Sequence, residues 1–278
     1  MDPFLITGPA AISFSGGRTS GYMLRRVLDA HGGALPPDVH VVFANTGKER
    51  EATLAFVREC GERWGVAITW LEYAGKKAFR VVDFKSASRH GEPFEQVIRD
   101  RRYLPNAVTR FCTVELKIHT LHRWLRSPWV RADGAYDEWT NVVGLRADEP
   151  SRVAKVSGGR ETEAETVVCP LATAGVTKED VLAFWSRQPF DLRLRPWEGN
   201  CDLCFLKGQA TRERIMLNHP ETAAWWIAQE AAIGATFRAH SPSYAAIERR
   251  VRSQGRLPIV IDPPDDDPTD IMSCACTD

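Results

Sequence analysis

Apolar and polar positions along the first third of the chain follow two rhythms. Short, nearly continuous apolar runs at residues 10–14 (AAISF), 39–44 (VHVVFA) and 67–72 (AITWLE) have the length and side-chain content of buried strands. Between them, residues 20–30 and 52–64 carry helical patterns. This β-α-β-α-β order predicts an α/β fold, a parallel sheet with helices on both faces. Ligands of such sheets bind at the carboxyl ends of the strands.

The pattern then loosens. Residues 79–89 show no period and read as a loop, residues 93–102 as a short helix, and residues 114–126 place Leu116, Leu121, Trp124 and Leu125 near one helical face. Residues 140–145 (TNVVGL) and 166–169 read as strands, the second ended by Pro170. The intervening Gly-, Ser- and charge-rich residues 153–165 read as a mobile loop. Thr177 with Asp180 forms a capping signal for a helix over 181–187. The acidic, Pro-rich residues 261–270 read as a linker to a short tail, 271–278. There is no internal repeat, and the chain divides into a nucleotide-binding domain with a cysteine site (1–208) and a helical C-terminal region with a cysteine-containing tail (209–278).

Composition narrows the function classes. Among 278 residues, 36 Lys and Arg balance 36 Asp and Glu, which argues against a protein that works as a bulk polycation on nucleic acid or anionic membrane. No stretch approaches the roughly 18 consecutive apolar residues of a membrane span. No signal peptide is recognisable at the start, and the odd count of seven cysteines does not suit a disulfide framework. The expected setting is a reducing cytoplasm, where clustered cysteines are metal ligands or reactive thiols.

Four segments carry chemistry. Ser13-Phe14-Ser15-Gly16-Gly17-Arg18-Thr19-Ser20 follows the first strand and opens the first helix. Its glycines bring backbone N–H groups close to an anion, its hydroxyls add donors and the helix start adds a favourable dipole, so it reads as a phosphate cradle. It lacks the lysine of the Walker pattern. Asn45, Thr46 and Gly47 end the second strand beside it, within reach of a base or ribose. Gly144, Arg146, Glu149 and Arg152 follow a later strand, with two arginines suited to bidentate phosphate contacts and Glu149 suited to orienting a guanidinium or holding a metal. Cys201 and Cys204 form a C-x-x-C turn to which Cys112 could add a distant third ligand; zinc, an iron–sulfur cluster and a redox dithiol all use such turns.

Taken in order with Pro170-Leu171 and TKEDVLAFW, these segments resemble the PP-loop ATP pyrophosphatase superfamily, in its phosphoadenosine phosphosulfate (PAPS) reductase-like branch, over residues 10–208. The resemblance implies an adenine nucleotide alpha hydrolase-like fold with a helical C-terminal extension. It implies ATP or a related adenine nucleotide with its phosphates on Ser15, Gly16, Gly17, Arg18, Thr19 and Ser20, neutralised by Mg2+, with Arg146 and Arg152 as phosphate partners. It implies a [4Fe-4S] cluster on Cys112, Cys201 and Cys204. In tRNA-thiolating relatives ATP adenylates a carbonyl oxygen of the base and sulfur displaces AMP, so thiolation of a nucleobase or nucleic acid is the leading activity. The rival is a PAPS or adenylyl-sulfate reductase that releases sulfite, with Cys274 or Cys276 as attacking thiol. Compatible partners are a sulfur donor, a thioredoxin-like reductant, a nucleic-acid substrate and a second copy of the chain, but not a membrane.

The chain departs from that pattern in two ways. Phe111 stands where iron-containing reductases have a first cysteine of a pair, and the tail Cys274-Ala275-Cys276 lacks their Glu-Cys-Gly ending. Cys274 or Cys276 supplies the fourth ligand, or one iron stays open to hold a hydrosulfide. A zinc-binding, nucleotide-sensing module without turnover is the reading of a different class. Cys60 and Cys169 are expected in the core, His119 and His122 in ordinary packing, and Trp225 and Trp226 under a C-terminal helix. The arginines 249, 250, 252 and 256 are expected on a solvated helix end.

Overall fold

The computed structural model describes residues 2–128, 130, 134–157 and 164–253. β1 (Ala10–Ser13), α1 (Arg18–Ala30), β2 (Val39–Asn45), α2 (Glu51–Trp64) and β3 (Ile68–Tyr73) follow in the predicted order. Then come β4 (Phe79–Val82), α3 (Glu92–Arg101), α4 (Phe111–Thr113), a π-helical stretch (Val114–His119), α5 (Thr120–Leu125), β5 (Trp139–Val143), α6 (Pro150–Ser157) and β6 (Glu165–Val168). The chain continues with α7 (Pro170–Thr173), α8 (Lys178–Trp185), α9 (Gln209–Asn218), α10 (Ala223–Ile233) and α11 (Tyr244–Ser253).

The six strands form one sheet in the order β4-β3-β2-β1-β5-β6. Neighbours pair in parallel except β4, which runs antiparallel on β3. Strand alternation divides the core: Ala10, Ile12, Val41 and Phe43 pack with residues of α1, α2 and α8, whereas Ala11, Val42 and Leu71 pack with α5. A third core gathers Trp226, Phe205, Phe237 and Tyr244 against Phe94, Ile98 and Leu116, and so seats α9, α10 and α11 on α3 and the π-helical stretch.

Three expectations change. Residues 79–82 are an edge strand, not loop; Arg80 and Val81 are both exposed, so the side chains never alternate, and the ladder to β3 alone defines the strand. The expected loop at 153–165 begins inside α6, for which Pro150 at the first helical position is preset, and ends in β6; residues 158–163 lie outside the described part. Leu116 and Leu121 do not share one core: the helix begins at Phe111, and its wider π-helical turn puts Leu116 in the third core and Leu121 on the sheet. The capping box of Thr177 and Asp180 forms as expected. Among the described residues no helix is long and apolar enough to cross a membrane. The linker, Arg256, Cys274 and Cys276 fall outside the described residues.

Candidate functional site

Because β2, β1 and β5 are adjacent and parallel, their carboxyl ends bring three of the four segments to one edge. After Ser13 the chain turns at Gly16, whose φ is +78°. A Cβ there would stand 2.7 Å from Thr53, 3.0 Å from Val57 and 3.2 Å from Phe43, so only glycine allows the loop to lie against β2 and α2. Gly17 caps α1 without any side-chain hydrogen bond, which leaves the first-turn N–H groups directed at the loop. The Ser15 and Ser20 hydroxyls are 2.9 Å apart, and Ser20 also donates to the Gly17 carbonyl at 3.1 Å.

The β5 end closes over this loop. A Cβ on Gly144 would lie 3.1 Å from Ser20 Cα, so any side chain there would press on the first turn of α1. The buried Arg146 donates from Nη1 to Thr19 Oγ1 at 3.0 Å and from Nε to Asp148 at 2.9 Å. Glu149 accepts the Arg146 backbone N–H at 3.1 Å and pairs with Arg152. Arg18 turns elsewhere and forms a bidentate pair with Asp191 at 2.7 and 2.6 Å. Burial alone would raise the Asp191 carboxyl, but Arg18 and the backbone N–H groups of Leu192 and Arg193 hold it below the usual carboxylate range.

The β2 turn is tied internally. Asn45 is fully buried, donates to Glu72 at 2.6 Å and to the Ser88 carbonyl at 2.9 Å, and accepts the Gly47 N–H at 3.1 Å. Thr46 donates its N–H and hydroxyl to Glu49 at 2.8 and 2.7 Å. Asn45 therefore fixes the turn, and Glu49 is carried toward the fourth segment.

Cys112, Cys201 and Cys204 line one pocket together with Thr46, Glu49 and Lys117. Apart from Thr113 its remaining walls are apolar, with Leu116, Phe205 and Trp226 among them. The π-helical stretch carries Leu116 and Lys117 to this pocket; such widened turns recur at functional sites. Lys117 Nζ stands 3.9 Å from Glu49. Among the described residues no group of three or more His, Cys, Asp or Glu is placed to hold a metal ion.

The cysteine turn is bound directly to the loops at the carboxyl ends of β1 and β2. Glu49 and Cys201 form an isolated antiparallel bridge, and the Asp202 N–H donates to the Lys48 carbonyl at 2.8 Å. Lys48 Nζ pairs with Asp202 at 2.7 Å, both groups being buried, and Asp202 also accepts Trp226 Nε1 at 3.0 Å. Asn200 donates to the Ser15 carbonyl at 3.0 Å while its own carbonyl accepts the Arg50 N–H at 2.8 Å. Lys48 and Glu49 belong to the segment that ends β2 and Asp202 lies inside the C-x-x-C turn, so residue order flags them without showing their contacts; Asn200 and Lys117 carry no such signal.

Of the other described candidates, Trp226 walls the cysteine pocket and the rest do not line it. Cys60 and Cys169 are buried, with thiols raised by burial. His119 and His122 face different carboxylates, Glu115 at 3.3 Å and Glu165 at 3.1 Å. Trp226 is fully buried at the centre of the C-terminal core, and Arg250 and Arg252 are exposed on α11.

No protein-family model matches the sequence. The chain is 33% identical over 205 residues to an uncharacterized nin region protein, ORF290, of Escherichia phage lambda, a match spanning 70% of this chain and 65% of the phage protein's length. Among solved structures it is similar to phosphoadenylyl-sulfate (PAPS) reductase from Candida auris in a phosphate complex, at 14% identity and TM-score 0.40 over 67% of this chain and 79% of that one. It is also similar to the U34-tRNA thiolase NcsA from Methanococcus maripaludis with its [4Fe-4S] cluster, at 14% identity and TM-score 0.41 over 86% of this chain and 75% of that one.

Proposed function

We propose that the chain is a PP-loop enzyme that binds an adenine nucleotide on the Gly16–Gly17 loop and a [4Fe-4S] cluster on Cys112, Cys201 and Cys204, and activates an acceptor by adenylation for sulfur transfer. One observation carries the reading: three cysteines from two distant segments line a single, largely apolar pocket whose C-x-x-C turn hydrogen-bonds through Asn200 to the glycine loop. The first-turn N–H groups of α1 and the Ser15, Thr19 and Ser20 hydroxyls bind phosphate, and Arg146 and Arg152 neutralise it. Asp148 and Glu149 are engaged by these arginines, so Mg2+ enters with the nucleotide rather than on a carboxylate held ready.

The donor set suits a cluster: three thiols from two distant segments in one largely apolar pocket can each bind an iron of a polynuclear centre. When bound, such a cluster supplies a Lewis-acidic iron able to hold sulfur. Leu116, Phe205 and Trp226 exclude water from it, and Lys117 brings a positive charge to its edge.

Purification without oxygen tests this. The wild type should show broad absorbance near about 400 nm, the region of thiolate-bound iron, and Cys201→Ala should lose it. A colourless protein carrying one zinc per chain would overturn the cluster. Pyrophosphate released from ATP only with a base-containing acceptor supports thiolation, while sulfite released from a sulfonucleotide with thioredoxin would replace it by reduction.

A further inference from the structure

Arg212 is the most deeply buried cation among the described residues, 1% exposed on α9. Its Nη2 donates to Ser241 Oγ at 2.8 Å, its Nε has no hydrogen-bond partner, and no described carboxylate is ion-paired with it. A guanidinium removed from water costs several kcal/mol unless opposite charge stands near. Glu230 feels the cation, but burial raises this carboxyl above its usual range, and both its oxygens accept backbone N–H groups, from Phe237 at 3.2 Å and Tyr244 at 2.8 Å. Glu230 is thus an incomplete counter-charge.

On its other side the guanidinium meets Tyr244. The guanidinium sits 5.5 Å from the centroid of the fully buried Tyr244 ring, and the Tyr244 hydroxyl donates at 2.7 Å to the carbonyl of Leu203, between Cys201 and Cys204. Tyr244 feels both thiols electrostatically as well as Arg212. One buried side chain therefore links the unpaired cation to the C-x-x-C turn.

We propose that Arg212 is a positioning residue of the cysteine centre: its buried charge balances the negative charge of the thiolate-bound group, and Tyr244 holds the turn at a fixed distance from that charge. This rests on the cluster reading above. A fixed cation stabilises the more negative, reduced state of a neighbouring redox centre more than the oxidised one, so its loss makes the centre harder to reduce.

The experiment uses full-length protein reconstituted anaerobically with iron and sulfide, and compares the midpoint potential and the rate of iron loss in wild type, Arg212→Met, Arg212→Lys and Ser241→Asp. Arg212→Met should move the potential to a more negative value and release iron several-fold faster. Arg212→Lys, which keeps the charge, should stay near wild type. Ser241→Asp leaves the cation in place but pairs it at Nη2, and should shift the potential in the same direction as Arg212→Met; it carries the test if Arg212→Met does not fold. Wild-type potentials in Arg212→Met, or in Ser241→Asp where only that variant folds, would overturn the role of Arg212 while leaving the cluster intact. A wild type that takes up no iron would overturn the cluster reading itself, and Arg212 with it.

Discussion

Gly16 and Gly8 have nearly the same backbone, with φ of +78° and +74°, but different surroundings. Nothing lies within 4 Å of a Cβ built on Gly8, whereas one on Gly16 meets Thr53 at 2.7 Å. Gly8→Ala should therefore cost only the left-handed backbone strain, about 1 kcal/mol. Gly16→Ala adds overpacking against a sheet and helix that cannot both retreat, for a total of about 2–4 kcal/mol. Urea denaturation of the two variants checks this, and equal losses would refute the packing argument. Gly16→Ala should also abolish ATP binding in a fluorescence titration, and Gly8→Ala should leave it intact. The glycine doublet was legible in the sequence because a left-handed turn before a helix has few other residues. The pairing of Arg18 with Asp191 was not legible, because the two are 173 residues apart and no local spacing announces it.

The Arg18–Asp191 pair joins the start of α1 to the segment after α8, so it acts on elements rather than on the loop alone. Asp191 is held below its ordinary range in the folded chain. Its pH-dependent contribution is accordingly full above the unfolded carboxyl value of about 3.9 and is lost as pH falls through the lower folded value. Chemical denaturation of wild type and Asp191→Asn should show a stability gap at pH 6 that narrows as the pH is taken below about 4; a gap that widens on acidification would contradict the assignment. Elements with their own hydrophobic period, such as β1, β2, α1 and α2, could be read directly from residue order. β4 could not, since its side chains do not alternate and its identity lies in the β3 ladder. Nor could the π-helical stretch: a single widened turn lets one helix serve two cores, and it leaves a mixed spacing that resembles an ordinary helical face.

Net charge is zero for the whole chain, yet a buried pair of opposite charges joins the sheet to the cysteine turn. The cysteines themselves were legible by spacing, while the groups that seat them were not. Lys48 and Asp202 are 154 positions apart, and nothing in the residue order pairs them. In the structure Lys48 Nζ lies 2.7 Å from Asp202, whose other oxygen accepts Trp226 Nε1 and the Leu203 N–H, so the pair locks the turn after β2, the C-x-x-C turn and the C-terminal core at one point. Lys48→Met leaves Asp202 charged and buried, and should cost about 3–5 kcal/mol, the range for breaking a buried pair from one side. Asp202→Asn leaves an uncompensated ammonium and should cost a similar amount. The double variant should lose less than the two singles added together, by about 1–3 kcal/mol, because neither charge is then stranded. Unfolding free energies of the four proteins measure this coupling, and strict additivity would mean that the pair does not act as a lock. Both single variants should also hold less iron per chain than wild type after anaerobic reconstitution, since a turn no longer anchored on Lys48 presents Cys201 and Cys204 in no fixed relation to Cys112.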